Sequence, residues 1–378
     1  MLGYLQHLLP NISLEKFLFK KSGGIGIEIA PDKINIVQMR KQGQQYKLVK
    51  YVSREIEGGI VAEGKIANPP ALATLIQETL AEAKIKTKRV TTGVPMREAI
   101  VRVIAIPAEL DELEAREMIL NHEAALYLPY PREEVDLDYQ KLDYFLDEDG
   151  IEKVHVLLVA TRREVTDSYM ETFRQAGLQV DVLEINSFAL IRTIKEQLQQ
   201  FGYQEAAALV DIEFDNTEIA IIVEGIPQFS RTVPIGTYQL YKALSQAMNL
   251  PPSGNISLLQ EFTILNPPVD ANSSKTGATW INPGMASLMR VLGELSDEIR
   301  RSINFYVNQT GEVEVAQLLL AGPGSAIGRI DEFFMEKLNL PAIQIDPIAT
   351  LGLQVDGEIS SIQRAALGTV VGLGLRMS

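Results

Sequence analysis

The stretch Ala208 to Gly236, ALVDIEFDNTEIAIIVEGIPQFSRTVPIG, constrains this chain most. An apolar run, Ala208 to Asp211, ends in an acid. Thr217 to Val223 is rich in β-branched residues, Glu224-Gly225 signals a turn, and Gln228 to Val233 returns. This pattern predicts three strands joined by a short polar loop and a tight Gly-containing turn, which make antiparallel neighbours. The same design stands near the start. There Gly24 to Ile29 predicts a strand, Ala30-Pro31-Asp32 a loop and Ile34 to Arg40 a second strand. Lys41 to Gln44 then turns into a third strand, Gln45 to Ile56. A helical stretch follows each triplet, Pro69 to Lys84 and Thr237 to Met248. A repeated unit of this size predicts two related halves facing each other, with a ligand cleft between them. Each copy carries an acid at the end of its first strand, Glu28 in one and Asp211 in the other.

Bulk properties narrow the function classes. A chain of 378 residues predicts two or more domains. A hydrophobic fraction of 46% and mean hydropathy of +0.04 fit a globular protein with a sizeable core. The net charge of −14 argues against nucleic acid, whose phosphates would be repelled. The absence of cysteine excludes disulfides, thiolate metal sites and cysteine nucleophiles. No apolar run approaches the roughly 20 residues of a membrane-spanning helix, and no secretory signal pattern opens the chain. A cytoplasmic location is therefore expected.

Along the chain, Met1 to Lys21 carries leucines and phenylalanines broken by Pro10. Two readings stay open: a leader or helix packed on the body, or a contact for a membrane surface or partner, which Lys16, Lys20 and Lys21 permit. Asn68 with Pro69 predicts a capped helix start, and Leu72, Leu75, Ile76 and Leu80 mark its buried face. A helix over Glu109 to Leu128 and strands over 99–106, 135–145 and 153–161 predict a compact inserted α/β segment. Met285, Leu288, Leu292, Leu295, Ile299 and Ile303 predict the buried face of a long helix. Asn249 to Pro283 reads as a long loop region, and Ile362 to Leu375 as one small-residue helix in which Gly368, Gly372 and Gly374 allow close packing.

Taken together and in this order, several motifs resemble the PilM family of type IV pilus assembly proteins, related in fold to FtsA. The carriers are GIGIEIAPDKINIVQM (24–39), NHEAALYLPYP (121–131), LVDIEFDNTEIAIIVEGIP (209–227), DEIRRSINFY (297–306) and LLLAGPGS (318–325). The resemblance implies an α/β, actin-like two-lobed fold with duplicated βββαβα units and an inserted FtsA-type 1C subdomain. It divides the chain into an N-terminal segment 1–21 and a first lobe 22–95 and 178–204 holding the insert 96–177. A second lobe follows at 205–250 and 311–378, with a subdomain 251–310 between its parts. The final helix is expected to return to the first lobe.

The same resemblance implies a cleft for ATP and Mg2+. It places Glu28, Ala30, Asp32, Asp211, Glu213 and Thr217 at the phosphate loops, and Glu298, Arg301, Gly322, Gly324 and Ser325 elsewhere around the nucleotide. In relatives the phosphate loops use small residues, so that backbone N–H groups reach the phosphates. Here Ala30 stands where Gly is usual, Asp32 where Ser is usual, Asn35 where Lys is usual and Glu213 where Gly is usual. Asp215 adds a further acid. Two like charges about 4 Å apart repel by about 4 kcal/mol at an effective dielectric of 20. Micromolar affinity is only about 8 kcal/mol in total. Weak or absent ATP binding is expected.

For function, the resemblance implies a cytoplasmic scaffold at the inner face of the membrane, binding the cytoplasmic N-terminal tail of PilN. The expected groove lies between the first lobe and the insert, where Tyr127, Pro129 and Tyr130 either line it or pack internally as a helix terminus. Pilus motor ATPases, an inner-membrane platform protein and a homo-oligomeric ring are further implied partners. A nucleotide-switched ATPase and a filament former are the alternatives. His7, His122 and His155 are too scattered for a metal site, and the aspartates at 136–149 predict a solvated strand edge.

Overall fold

The computed structural model describes residues 24–43, 45–250, 259, 264, 283–311 and 313–376. The 1–21 segment lies outside them, as does the stretch read as a long loop, apart from residues 249, 250, 259, 264 and 283.

Strands β1 (Ile25–Ile29), β2 (Lys33–Gln42) and β3 (Gln45–Glu55) form the first predicted triplet as an antiparallel meander. A small ribbon follows, β4 (Val61–Ala62) with β5 (Lys65–Ile66). After the helix Pro69–Glu82, β6 (Arg89–Val94) pairs parallel to β1. The insert then supplies β7 (Ala99–Pro107), β8 (Val135–Leu146) and β9 (Glu152–Arg162). β10 (Gln179–Ile185) rejoins the first sheet beside β6. The second triplet is β11 (Glu205–Ile212), β12 (Thr217–Val223) and β13 (Ile226–Val233). Its β12–β13 turn has Glu224 at φ 51° and Gly225 at φ 79°, the paired positive angles of a two-residue hairpin. β14 (Glu314–Ala321), β15 (Ala342–Gln344) and β16 (Gln354–Val355) complete the set.

The duplication is visible in the pairing. The first sheet runs β10-β6-β1-β2-β3-β16 and the second β13-β12-β11-β14-β15. From β3 to β10 and from β13 to β15, the strand order and its antiparallel-then-parallel polarity are the same. Helices cover both faces. In the first lobe Ile25, Ile27, Ile34 and Ile36 meet Leu72 and Ile76 of the 69–82 helix and Tyr169 and Phe173 of the helix Arg163–Gln175. In the second lobe Val210, Ile219 and Leu320 meet the helices Thr237–Ala247 and Pro283–Thr310. Each fully buried Val, Leu or Ile contributes about 1.5–3 kcal/mol.

Two packing contacts bear on where the domains divide. The Arg163–Gln175 helix packs into the first-lobe core, so we place the end of the insert near residue 162, ahead of the 177 drawn from sequence. The described residues of 251–310, read as a separate subdomain, share the core of the second lobe. Two helix readings are also corrected. The helix expected over 109–128 starts at Glu112, because the Asp111 carboxylate accepts from Leu113 and Glu114 N–H in a capping box, and it widens to a π turn over Met118–Glu123. The single helix expected over 362–375 is two, Ser361–Ala365 and Gly368–Leu375.

The helices Asn186–Thr193 and Gly368–Leu375 connect the lobes. The first leaves the end of β10 and continues, through Leu190, Ile194 and Leu198, onto Leu209, Ala220 and Ile222 of the second sheet. The second returns to pack Val370 and Val371 on Val37 and Met39. They cross at Gly372, where a Cβ would sit 1.9 Å from the Ala189 carbonyl oxygen. Likewise a Cβ on Gly26 of β1 would lie 2.5 Å from the Gly374 nitrogen. Arg192 pins the crossing by donating to the Gly372 carbonyl at 2.8 Å while paired with Glu184. Gly372→Ala is expected to destabilise the protein by about 1–3 kcal/mol or more, the cost of overpacking. Gly293→Ala, at a position with open space around it, is the control that leaves the midpoint unchanged or raised in a thermal melt.

Candidate functional site

The ends of β1 and β11 face each other across the lobes, and their acids meet there. Glu28 is 4% exposed and Asp211 6%. Glu218, opposite Asp211 in the β11–β12 register, is also buried. Asn35 Nδ2 donates to Glu28 Oε2 at 2.9 Å. Burial, followed by the charge of Glu213, pushes Glu28 up to about 8. Burial pushes Glu213 up to about 7 against the opposing pull of Lys33, with Asp32 and Asp215 reinforcing the rise. Glu218 rises to about 7 through burial, opposed by its hydrogen bond to Ser187. Asp211 is raised through burial and the surrounding carboxylates, Glu213 first, and Asp32 is raised through burial. Glu28, Glu213 and Glu218 therefore hold protons near neutrality, in a place where the two lobes touch.

A nucleoside triphosphate with magnesium, which the actin-like fold implies, does not fit the residues present. At the start of the 237–247 helix, beside the second loop, three N–H groups are already taken. Thr237 and Tyr238 N–H donate to the Glu213 and Phe214 carbonyls at 2.9 and 2.8 Å, and Gly236 N–H to Gln239 Oε1 at 2.9 Å. Gly236 is small to admit the chain's own loop: a Cβ there would meet the Phe214 oxygen at 2.5 Å. On the first loop, Ala30 N–H closes a tight turn onto the Lys33 carbonyl at 2.9 Å. Among the described residues, no group of three or more His, Cys, Asp or Glu is arranged to hold a metal ion.

The other residues assigned to the nucleotide do not converge on this centre as a pocket. Thr217 is fully buried, and its Oγ1 donates to the Ile235 carbonyl at 2.6 Å. Gly322, with φ 76°, leads a buried turn through Gly324 and Ser325. A Cβ on Gly324 would lie 2.3 Å from Ile212 Cγ2, and the helix Ser361–Ala365 lies against the turn. Ser325 Oγ closes the same turn by donating to the Gly322 carbonyl at 2.8 Å. Glu298 and Arg301 pair with each other at 2.9 Å, and Glu298 also with Arg231 of β13 at 2.8 Å. Arg231 stands opposite Ile219, whose side chain faces the 283–310 helix, whereas Glu218 faces the other side of the sheet. The structure therefore puts Glu298 and Arg301 on the face away from Asp211.

A second concavity lies in the insert, at the end that joins the first lobe. Pro95 ends β6, and the turn Met96–Glu98 leads into β7. Arg97 and Glu98 from this turn, Ala160 and Arg162 from β9, and Pro129 and Tyr130 line a cavity of about 190 Å³. Pro129 and Tyr130 are exposed at its edge, so the alternative of internal packing is not what the structure adopts. Tyr127 is 41% exposed but is not in the lining. The Arg162 guanidinium lies over the Tyr130 ring, 5.4 Å from its centroid, and its Nη2 donates to Glu98 at 3.1 Å. Sequence reasoning missed Arg97, Glu98 and Arg162. The one available signal was the boundary itself, since a Pro ending a strand at a domain junction places the next residues in the joint. His122 is exposed, and His155 stacks on Phe145 beside Asp143, away from either centre.

The two similar sheets, the connecting helices and the cleft between β1 and β11 define an actin-like protein. Solved structures of that class match over nearly the whole chain. A structure described as a PilM–PilN type IV pilus biogenesis complex aligns with TM-score 0.78 at 24% identity, over 94% of this chain and 99% of that one. The ethanolamine utilization protein EutJ from Carboxydothermus hydrogenoformans aligns with TM-score 0.52 at 13% identity, over 94% and 90%. MreB5 of Spiroplasma citri, bound to ADP, aligns with TM-score 0.50 at 11% identity, over 94% and 96%. These likenesses show the fold. The family model described as type IV pilus assembly protein PilM matches residues 26–254, and the chain belongs to that family.

Carboxyls whose folded pKa is raised bind more protons folded than unfolded, so their contribution falls as pH rises. For Glu28, Glu213 and Glu218 it is fully present below 4.5, the ordinary value, and is lost as pH climbs through about 7 to 8. The melting temperature is expected to drop between pH 6 and 8.5. Glu213→Gln removes part of that drop, a gain on the order of 1–3 kcal/mol at pH 8.5, since one pKa unit is about 1.4 kcal/mol. Calorimetric scans of both proteins at the two pH values check this. Titration with ATP and Mg2+ is expected to give no low-micromolar binding.

Proposed function

We propose that this chain is a cytoplasmic adaptor of type IV pilus assembly. It takes the N-terminal cytoplasmic tail of membrane-anchored PilN into the groove between the first lobe and the insert. The observation that carries this reading is the cavity edged by Pro129 and Tyr130, an apolar and aromatic rim with Arg97, Glu98 and Arg162 inside it. An extended peptide placed there could seat apolar side chains against the rim and offer its backbone to the polar groups. Family membership and the likeness to a PilM–PilN complex support the choice of partner. The poor fit of the cleft to a triphosphate favours contact over nucleotide hydrolysis as the working principle.

The wider role belongs to the same proposal. Bound to PilN, the protein sits at the inner face of the cytoplasmic membrane without crossing it. Among the described residues, no helix is long and apolar enough to span a bilayer. From there it would link the inner-membrane alignment complex to the platform protein and the motor ATPases.

A synthetic PilN tail peptide, titrated with and without ATP and Mg2+, tests the reading. Binding is expected, with the same affinity in both conditions. Tyr130→Ala is expected to weaken it about tenfold or more, as truncating an aromatic anchor does. Tyr144→Ala, nine residues beyond the cavity-lining Val135 on β8 and so about 30 Å away, leaves it unchanged.

A further inference from the structure

Arg97 belongs to two places at once. Its side chain lines the groove beside Tyr130. Its Nη2 also donates to Asp215 Oδ1 at 2.6 Å, and Asp215 lies in the β11–β12 loop of the second lobe. The ion pair thus spans the lobes, with both side chains largely out of solvent, at 20% and 23% exposure.

The geometry around the pair limits how it can respond. Gly64, at φ 83° in the β4–β5 turn, leaves room for the Arg97 stem: a Cβ there would lie 2.8 Å from Nε and 3.1 Å from Cδ. Arg97 Nε is itself buried without a hydrogen-bond partner. On the other side Asp215 Oδ1 also accepts from Asn216 Nδ2 at 2.7 Å. The loop carrying Asp215 is bound to the start of the 237–247 helix through the Glu213 and Phe214 carbonyls. The stem of Arg97 and the loop of Asp215 are therefore both held, and the guanidinium is the part that can move. Its partner on the second lobe is one carboxylate, and its residue also lines the groove.

We propose that Arg97 couples the groove to the lobe interface: a peptide that offers a carbonyl or carboxylate oxygen to the guanidinium draws it from Asp215 and loosens the contact between the lobes. The inference rests on the groove reading above. Because such coupling is reciprocal in binding free energy, a change that weakens the Arg97–Asp215 pair while keeping the guanidinium favours the peptide. The loosening would act where Glu28 and Glu213 already meet across the cleft, so one displaced ion pair has a buried interface to act on.

The test uses the full chain and a synthetic PilN tail peptide, with wild type, Asp215→Asn and Arg97→Ala compared by calorimetry. Asp215→Asn is expected to tighten binding by roughly fivefold or more, the lower end of typical coupling, and Arg97→Ala to weaken it. The chain has no native cysteine, so Ala81→Cys and Gln246→Cys, both at exposed helical positions, allow spin labels on either lobe. Peptide is expected to shift the inter-lobe distances of wild type, while Arg97→Ala shows the shifted distribution without peptide. Peptide binding with unchanged distances, and equal affinity for wild type and Asp215→Asn, would overturn the coupling and leave the groove standing. No binding by wild type would overturn the groove reading, and the coupling with it.

Discussion

The backbones of the 186–193 and 368–375 helices cross with no room for a methyl group at Gly372, and the 368–375 helix lies as closely on β1 at Gly26. Both helices are shared between the lobes, so their separation sets how the two sheets stand. Close packing of this kind is intolerant of added volume and transmits displacement rather than absorbing it. It brings the ends of β1 and β11 together, and with them Glu28, Asp211, Glu213 and Glu218. Arg192 adds a strong polar tie at the crossing, through Glu184 and the Gly372 carbonyl.

An interface built from so many acids cannot keep them all charged. Taking a carboxylate out of water is expensive, and neighbours of the same sign raise the cost further. Protons offset that cost here, helped by Lys33 and Asn35. The small residues that in a nucleotide-binding fold would let a phosphate approach are spent on the chain itself. Gly236 receives the 213–216 loop, and Gly322 and Gly324 receive Asp211 and Ile212. An open concavity lies at the end of the insert that joins the first lobe, where Arg97 also reaches the second lobe.

Much of this architecture was legible in the sequence because it rests on short-range signals. The strand triplets, the Glu224-Gly225 turn and the Asn68 cap each depend on a few adjacent residues. Gly368, Gly372 and Gly374 signalled close packing correctly, since small side chains at helical spacing have few other uses. The acids at Glu28 and Asp211 stood out as charges ending apolar strands. What stayed hidden depends on which elements meet. Glu218 reads as one more strand residue until β11 is set beside it, and the Arg97–Asp215 pair joins residues 118 positions apart. Glu298 and Arg301 lie on the face of the second sheet opposite Asp211, which the motif does not reveal because a strand has two faces. The break between the 361–365 and 368–375 helices falls just before Gly368, which alone signals close packing as readily as a helix break.

Burial and like-charged neighbours make the lobes meet over carboxyl groups that hold protons near neutrality, Glu28 foremost. Infrared difference spectroscopy at pH 7 reads this directly, because a protonated carboxyl has a C=O stretch that a carboxylate lacks. Wild type is expected to show that band in the folded protein, with intensity lost in Glu28→Gln and on raising the pH past about 8. A spectrum at pH 7 with carboxylate bands alone, identical in wild type and Glu28→Gln, would contradict it.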